Sequence, residues 1–361
     1  MILPNSKWPI YDRKLIKGIS NIISKGEVNY LFGRFGKMFE NKFSKFHNIK
    51  YSVAVSNGTV GLELALNSLN IQEGNEVLVT PRSYYSSASC IIRNNLKPVF
   101  VDIDPLTQNI CHKDLKKKIN KKTKCIICVH LGGLPCDMNK IIPLAKKYKI
   151  KVIEDCSQAH GARINNKYVG TFGDIGVWSF CNDKIISTLG EGGMISTNNR
   201  KLFEKIWSLK DIGKSYKKYH DNHVKNFKFR WLHDNIGTNA RMTEIQAYSG
   251  LYQIDKLNKF INLRQKNAKY IFNQLKNVPC LKFLNTPKNF HNVYYRFNFL
   301  FNDKYHSKKL SRDTILKELS KKIYIREGSC PEIYREKYFK KKFNINCPNA
   351  KYIGKNSLSL Q

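Results

Sequence analysis

Residues 150–197 read IKVIEDCSQAHGARINNKYVGTFGDIGVWSFCNDKIISTLGEGGMIST, and this stretch indicates the class of fold. Three short apolar runs, at 150–155, 175–180 and 193–197, have the length and composition of buried strands. Polar residues or glycines end each run. Near-continuous apolar strands of this kind predict a parallel or mostly parallel sheet that helices cover on both faces.

The same alternation extends towards the amino terminus. Further strands are predicted at 51–56, 76–80, 97–104 and 124–130. Between the first two, apolar residues such as Leu62, Ala65 and Leu66 recur at helical spacing. Together with the N-terminal segment, these elements form a large domain at 1–245, and its ligand site is expected beyond the carboxyl ends of the strands.

The pattern changes from about residue 242. One long helix is predicted through 243–277, followed by strands at 294–301 and 323–327 with a helix between them. These elements predict a smaller C-terminal α+β domain at 246–361, which the long helix connects to the large domain. The complete expectation is an α/β protein whose large domain has a mostly parallel central sheet covered by helices.

The chain of 361 residues carries a formal net charge of +36, which raises the question of a nucleic-acid partner. The basic residues are mostly lysines in short scattered runs beside abundant Ile and Asn, the residues that an AT-rich genome favours. Only 214–231, KSYKKYHDNHVKNFKFRW, interleaves aromatic and basic residues as a nucleic-acid platform does. No helix-turn-helix, zinc-finger or RNP pattern accompanies it, so we expect no nucleic-acid partner.

The distribution of cysteines and the hydropathy of the chain indicate in which cellular compartment the protein is expected. The ten cysteines are spread along the chain without a repeated spacing, which is typical of a reduced, cytoplasmic protein. Cys125 and Cys128 lie three residues apart in a predicted strand, so they point to opposite faces and are interpreted as core. We expect no export signal and no membrane-spanning segment.

Three predicted strands end in residues that could bind a ligand or take part in catalysis. Asn57, Gly58 and Thr59 follow the first strand, where N–H groups, a helix dipole and a hydroxyl can hold a phosphate, although a simple turn with an N-cap uses the same residues. Glu154 and Asp155 end another strand, and only one of the two can face the site. A metal site there lacks further ligands at a usable spacing, although His160 is near.

The third strand end carries Lys184, which follows a buried strand containing Ser179 and precedes the glycine-rich turn 190–193. Partial burial is expected to lower the pKa of its amine and to make it a nucleophile towards a carbonyl. A phosphate cradle, a carboxylate and an isolated lysine on three strand ends together match pyridoxal 5′-phosphate. That cofactor requires phosphate ligands, an anion at its ring nitrogen and an amine for its aldehyde.

The sequence resembles the DegT–StrS type of nucleotide-sugar aminotransferases, which are fold-type I pyridoxal-phosphate enzymes. The resemblance covers nearly the whole chain, and the SF…K and GEGGM motifs at 179–184 and 190–194 are highly specific to that family. The other matching stretches are Trp8-Pro9, GEVNYLFGRFGKMFE (26–40), SNGT (56–59), PVFVDID (98–104), EDCSQAHGA (154–162), GTNARMTEIQA (237–247) and GSCPEIY (328–334).

The resemblance implies roles for particular residues. Lys184 corresponds to the lysine that bonds the cofactor aldehyde and carries the proton between substrate carbon and cofactor carbon. Asp155 corresponds to the partner of the ring nitrogen, and Gln158 lies beside the ring hydroxyl. The implied phosphate ligands are Gly58, Thr59, Ser179 and, from a neighbouring subunit, Asn239, so a homodimer with shared active sites is expected. Tyr84 is expected to stack on the cofactor ring, with Tyr85 as the alternative.

The resemblance also implies the reaction. We expect transfer of an amino group from L-glutamate to a nucleotide-diphosphate ketosugar, giving a 4-amino-4,6-dideoxyhexose for a surface glycan. Amination of a 3-keto sugar, or a non-catalytic or nucleic-acid-binding protein on the same fold, is the alternative. Relatives that replace the lysine by histidine perform dehydration, and this chain has Lys184. The family usually continues beyond a segment like SLSLQ (357–361), so a trimmed edge of the small domain is expected.

Overall fold

The computed structural model describes residues 8–221, 231–340, 342–343 and 345–360. Up to residue 254 the strands are β1 Tyr51–Val55, β2 Glu76–Val79, β3 Lys97–Phe100, β4 Thr123–Val129, β5 Lys151–Asp155, β6 Arg163–Ile164, β7 Lys167–Tyr168, β8 Ile175–Ser179 and β9 Gly193–Thr197. The helices are α1 Arg13–Ser24, α2 Phe35–His47, α3 Gly58–Ser68, α4 Ser86–Arg93, α5 His112–Lys118, α6 Met138–Lys147, α7 Arg200–Lys210, α8 Tyr216–Tyr219 and α9 Glu244–Ile254.

Seven of these strands form the central sheet, in the order β1-β9-β8-β5-β4-β2-β3. The pairs from β8 to β3 are parallel, and β9 is antiparallel to both of its neighbours. Each of the seven predicted strands lies in this sheet, and the prediction of a mostly parallel sheet is confirmed. The strands are almost fully buried because helices cover both faces.

The two faces of the sheet pack against different helices and form separate apolar clusters. Leu62 and Leu66 of α3 pack with Val77 of β2 on one side, and Ile141 of α6 packs with Val152 of β5 on the other. Cys125 and Cys128 of β4 belong to these two different clusters. The period-two alternation of a strand explains this separation, and the interpretation of both cysteines as core is confirmed.

The remaining elements build a smaller unit around a second sheet. Its strands are β10 Leu281–Phe283, β11 Phe290–His291, β12 Phe297–Phe301, β13 Ile325–Arg326 and β14 Ser357–Leu360, and its helices are α10 Leu257–Leu275, α11 Arg312–Leu319, α12 Lys337–Lys340 and α13 Pro348–Asn356. Four strands pair in the order β10-β12-β14-β13, whereas β11 pairs with β6. The segment SLSL at 357–360 is therefore an interior strand of the small sheet. The boundary between domains at 245/246 remains a prediction.

The single long helix predicted through 243–277 is two helices. α9 ends at Ile254 and α10 begins at Leu257. At the junction the N–H of Lys256 bonds to the carbonyl of Gln253, three residues back, which tightens the turn and ends the regular α-helical ladder. Asp12 holds the Lys256 side chain at 2.6 Å. Apolar spacing continued across this junction, so the pattern alone did not show the break.

The expectations about a membrane-spanning segment and about a nucleic-acid platform concern parts of the chain away from the sheet edge. Within the described ranges, no helix combines the length and apolar character needed to cross a membrane. Half of the aromatic and basic segment 214–231, at residues 222–230, lies outside the described residues.

Candidate active site

The residues with possible chemistry lie along one edge of the central sheet. β1, β8, β5, β4 and β2 run in the same direction, so their carboxyl ends share that edge. The register places Val55 of β1 and Ser179 of β8 on either side of Gly193, and it pairs Asp155 of β5 with Val177 of β8. The segments that follow these strands therefore surround one space, where open α/β sheets bind ligands.

Helix α3 begins against the end of β8. Asn57 is its N-cap, and Asn57 Oδ1 accepts the N–H of Val60 at 2.9 Å. The N–H groups of Gly58 and Thr59 belong to the first turn and have no acceptor within the helix. A Cβ on Gly58 would lie 2.8 Å from the Cβ of Ser179, so glycine permits this close approach. The free N–H groups of Gly58 and Thr59, the hydroxyls of Thr59 and Ser179, and the helix dipole can together hold a phosphate.

The two acidic residues at the end of β5, Glu154 and Asp155, accept hydrogen bonds from different partners. The carboxylate of Asp155 accepts the Ser87 hydroxyl at 3.0 Å and the Ser157 N–H at 3.1 Å, and the residue is 4% exposed. The carboxylate of Glu154 accepts the backbone N–H groups of Gly170, Phe172 and Gly173. Glu154 is thereby occupied in shaping that loop, which leaves Asp155 as the carboxylate for a ligand.

His130, Glu154 and Cys156 form a buried cluster whose possible ligand atoms lie within 4.8 Å of one another. The sequence did not indicate it, because His130 ends a different strand. The N–H of Cys136 donates to His130 Nδ1 at 2.9 Å, so Nε2 carries the proton and donates to Glu154 at 3.1 Å. Since these atoms satisfy one another, we interpret the cluster as support for β4 and β5.

Lys184 lies between β8 and β9 with its ammonium group held by two neighbours. Its Nζ is 3.3 Å from Oδ1 of Asp183 and 3.4 Å from the hydroxyl of Tyr295. Tyr295 also donates a hydrogen bond to Asp183. The lysine side chain is 15% exposed, so it is largely removed from water.

This environment raises the pKa of Lys184. Burial acts to lower the pKa, but Tyr295 and Asp183 together outweigh burial and stabilise the ammonium form. The prediction of a lowered pKa is therefore wrong, because it considered burial without Tyr295 and the adjacent carboxylate of Asp183. To attack a carbonyl, Lys184 must first give up a proton, and Asp183 and Tyr295 are in contact with that proton.

The amino-terminal segment holds the backbone around Lys184. The indole Nε1 of Trp8 donates to the Lys184 carbonyl at 3.0 Å, and the Tyr11 hydroxyl donates to Ser187 Oγ at 3.2 Å. The Trp8 ring packs edge-on against Phe260 of α10, with ring centroids 5.0 Å apart. The first contact holds the main chain at Lys184, and the second holds the side chain of Ser187.

Gln158 is buried one turn after Asp155. Its Oε1 accepts the N–H of Gly132 at 2.7 Å, which directs the side-chain amide with its NH₂ group away from that backbone. Gly132 has φ +65°, and a Cβ there would lie 2.6 Å from Nδ2 of Asn298. Glycine at 132 therefore keeps both the turn and the close approach of the small unit possible.

The remaining predicted residues lie at the surface. Tyr84 and Tyr85 occupy the loop between β2 and α4; Tyr84 is 70% exposed, whereas the Tyr85 ring packs edge-on against Phe339 at 5.6 Å. Asn239 is exposed, and the carbonyl of the next residue, Ala240, accepts the N–H of Ser56 at 2.9 Å. Tyr84 and Asn239 are accessible to a further molecule in the single chain.

Sequence reasoning missed three residues that contact this site. Asp183 was visible as the neighbour of Lys184, and an acidic residue beside a candidate amine is a usable signal. Ser87 and Tyr295 had no such signal, because Ser87 is 68 residues from Asp155 and Tyr295 is 111 residues from Lys184.

The donor set fits pyridoxal 5′-phosphate. The cradle at Gly58, Thr59 and Ser179 suits its phosphate, Asp155 suits a protonated ring nitrogen, and Lys184 supplies an amine for its aldehyde. The space that Gly58 leaves beside Ser179 is the structural feature that carries this fit, because a side chain at 58 would meet that serine.

Comparison with known proteins shows the family to which the chain is similar. Residues 10–361 match the model of the DegT/DnrJ/EryC1/StrS aminotransferase family. The chain is 42% identical over 236 residues to GDP-perosamine synthase of Escherichia coli O157:H7, and this match spans 65% of the chain and 62% of that relative. It is 31% identical over 358 residues to UDP-N-acetyl-3-dehydro-alpha-D-glucosamine 3-aminotransferase of Acidithiobacillus ferrooxidans, spanning 98% and 89%.

A solved structure extends the comparison. The aminotransferase from Psychrobacter cryohalolentis is 37% identical, with a TM-score of 0.94 over 99% of this chain and 93% of that one. The expected fold-type I architecture is thereby confirmed, and pyridoxal 5′-phosphate is the cofactor. The chain belongs to the DegT/DnrJ/EryC1/StrS aminotransferase family.

Proposed function

We propose that this enzyme transfers an amino group from L-glutamate to the keto carbon of a sugar linked to a nucleoside diphosphate. The observation that carries this proposal is the arrangement at one sheet edge of a largely buried lysine, a fixed carboxylate and a phosphate cradle. The relatives support the class of substrate, since both are named for work on nucleotide sugars.

Bound pyridoxal phosphate supplies an aldehyde that condenses with amines and a ring that withdraws electrons from the reacting carbon. Lys184 is proposed to bond that aldehyde and later to carry the proton between the two carbons. Asp183 and Tyr295 hold the proton of Nζ before the bond forms, because both contact it. Their contacts also aim the amine and limit the positions that it can take.

Asp155 is proposed to keep the ring nitrogen protonated. Ser87 and Ser157 fix its carboxylate, and burial strengthens its attraction for a cation. Gln158 is proposed to donate from its NH₂ group to the ring hydroxyl, since its oxygen is bound to Gly132. Tyr84 is proposed to cover the ring face.

The phosphate site is proposed to be shared between two subunits. Gly58, Thr59 and Ser179 supply donors from one chain, and Asn239 of a second chain completes the set. Asn239 is exposed in the single chain, as a residue that reaches into a neighbouring subunit must be. A homodimer with two shared active sites follows.

The sugar is proposed to be a 4-keto-6-deoxyhexose, and the product a 4-amino-4,6-dideoxyhexose for a surface polysaccharide. The relative named GDP-perosamine synthase supports an amino-sugar product on a nucleotide. The relative named as a 3-aminotransferase favours 3-keto sugars as the second candidate. The net charge of +36 suits a diphosphate in either case.

Incubation with glutamate and a panel of nucleotide ketosugars tests the proposal. The expected result is one aminated sugar by mass, with the amination position assigned by NMR, and its loss in Lys184→Ala. If the cofactor reacts with glutamate but no sugar in the panel gains nitrogen, the proposed acceptor is wrong. If the cofactor does not react with glutamate, the proposed donor is wrong.

A further inference from the structure

Arg264 lies on helix α10, and its guanidinium joins two segments that contact Lys184. Its Nη1 donates to the carbonyl of Tyr294 at 3.4 Å and to the carbonyl of Tyr295 at 3.2 Å. The centre of the same guanidinium lies 5.1 Å from the ring centroid of Trp8, which places the cation over that ring. Arg264 therefore contacts one segment near the amino terminus and one segment of the smaller unit.

The two residues that Arg264 holds contact opposite ends of Lys184. The indole of Trp8 donates to the Lys184 carbonyl at 3.0 Å, and Lys184 Nζ donates to the Tyr295 hydroxyl at 3.4 Å. The same Nζ lies 5.0 Å from the centroid of the Tyr295 ring. Tyr295 is 2% exposed, so its ring cannot move without displacing its neighbours. The main chain and the amine of the lysine are therefore both held by residues that one guanidinium contacts.

The backbone beside Tyr295 adopts a conformation that needs support. Tyr294 has φ +48°, in the left-handed region that a bulky residue rarely adopts. Such a conformation persists only where surrounding contacts hold it. The Tyr294 N–H donates to Oδ1 of Asn292 at 2.9 Å, and Arg264 donates to the carbonyls of residues 294 and 295. The strain at Tyr294 is independent evidence that the fold specifies the position of Tyr295.

The contacts at position 264 require the shape of arginine. Phe260 lies one turn earlier on α10 and packs edge-on against the Trp8 ring, with centroids 5.0 Å apart, while Arg264 lies over the face of that ring. A planar guanidinium can stack on a ring and donate from its edge to two carbonyls at the same time. The compact ammonium of a lysine cannot reproduce both contacts. A cation alone at this position is therefore not equivalent.

We propose that Arg264 is a positioning residue for amino transfer, which acts on Lys184 through Trp8 and Tyr295 and does not itself bind a substrate. Lys184 is proposed to bond the cofactor aldehyde and later to carry a proton between two carbons, so its amine must reach two positions in turn. Contacts at its carbonyl and at Nζ limit the amine to the path between them. The inference rests on the proposed function and adds the residue that supports both contacts.

Hydrogen exchange of the cofactor-free protein measures the positioning without any substrate. The variants are Arg264→Gln and Arg264→Lys, and Lys266→Gln is the matched control, because Lys266 is an exposed cation on the same helix. In both Arg264 variants we expect roughly tenfold faster amide exchange in the peptides that cover 184–187 and 294–296, with strands β4 and β5 unchanged. The control is expected to match wild type. Faster exchange throughout the protein, or in neither peptide, overturns the proposal.

The kinetics of the glutamate half-reaction, followed by cofactor absorbance, separate positioning from substrate binding. Both Arg264 variants are expected to lower the maximal rate by roughly 10- to 100-fold and to change the half-saturating glutamate concentration by less than about threefold, because misplacing a reacting group costs rate. A wild-type rate in Arg264→Lys shows that charge alone matters and overturns the proposal. A half-saturating concentration that rises more than the rate falls assigns Arg264 to a substrate carboxylate and also overturns it.

A comparison of combined variants tests the route of the effect. Trp8→Phe and Tyr295→Phe each remove a polar group that contacts Lys184. When both are present, adding Arg264→Gln is expected to lower the rate by less than about threefold, since its two contacts with the lysine are already lost. Fully additive effects overturn the proposal, and Arg264→Lys replaces Arg264→Gln in this comparison if the latter does not fold. If wild type does not react with glutamate, the proposed donor is wrong, whereas the exchange measurement still decides the role of Arg264.

Discussion

Replacing Asp183 by asparagine is expected to speed the reaction of Lys184 with pyridoxal phosphate. Asp183 stabilises the ammonium form of Lys184, with Nζ and Oδ1 3.3 Å apart. Asparagine has the same shape without the charge, so one of the two contacts that raise the pKa of Lys184 loses its charge and the pKa falls. A larger fraction of neutral amine is available at any pH below that pKa, and only the neutral amine attacks the aldehyde.

The magnitude follows from the geometry. Two unit charges at 3.3 Å attract by about 5 kcal/mol at an effective dielectric constant of about 20. The Asp183 side chain is 40% exposed, so solvent screening reduces this to about 1–2 kcal/mol. Since about 1.4 kcal/mol corresponds to a factor of ten, the rate is expected to rise roughly tenfold near neutral pH.

The assay is the second-order rate constant for adduct formation between cofactor-free protein and pyridoxal phosphate, measured by absorbance from pH 6 to 9. Asp255→Asn is the control, because Asp255 is an exposed carboxylate that pairs with Lys42 at 2.6 Å, away from Lys184. A rate that stays unchanged or falls in Asp183→Asn refutes the reasoning about the charge on the amine.

Three other perturbations follow from the same structure. Gly58→Ala is expected to weaken cofactor binding roughly tenfold or more with unchanged circular dichroism, because its Cβ would lie 2.8 Å from that of Ser179; unaltered affinity contradicts the cradle. The free energy of unfolding is expected to fall as pH drops from about 6.5 towards 3, because burial lowers the pKa of His47 and of His160 to about 3 and only the unfolded chain binds protons there. Each histidine changes the free energy of unfolding by about 1.4 kcal/mol per pH unit in this range. His160→Phe is therefore expected to halve the part of the pH dependence that the two histidines cause, as measured by denaturant titrations at several pH values. The same pH dependence in the variant and in wild type contradicts this reasoning. Equal mixing of Lys184→Ala and Asn239→Ala subunits is expected to restore about a quarter of wild-type activity, since half of the dimers then contain one intact site; no recovery after exchange excludes shared sites.

The strands and the edge that carries the site were predictable from sequence because their signals are local. Apolar runs of four to eight residues bounded by polar residues specify buried strands. Parallel pairing then brings their carboxyl ends together, so Asp155, Ser179 and Gly58 were expected near one another. The order of the strands and the antiparallel position of β9 required the structure.

The sequence-based predictions that the structure contradicts depend on contacts between segments far apart in the chain. The pKa of Lys184 depends on Tyr295, which a different part of the fold supplies, and burial alone predicted the wrong direction. The break between α9 and α10 depends on one hydrogen bond and on the ion pair from Asp12, while the apolar spacing runs through it. The contacts of Arg264 with Trp8 and Tyr295 likewise exist only where three distant segments of the chain pack together.

Mass spectrometry after borohydride reduction tests the covalent bond on which the whole account depends. Purified protein is loaded with pyridoxal phosphate, reduced and digested, and the peptide spanning Lys184 is examined for the added mass. The account predicts the modification on Lys184 alone among the lysines, and its absence when the protein is first converted with glutamate. Unmodified Lys184, or label spread over surface lysines, contradicts the account.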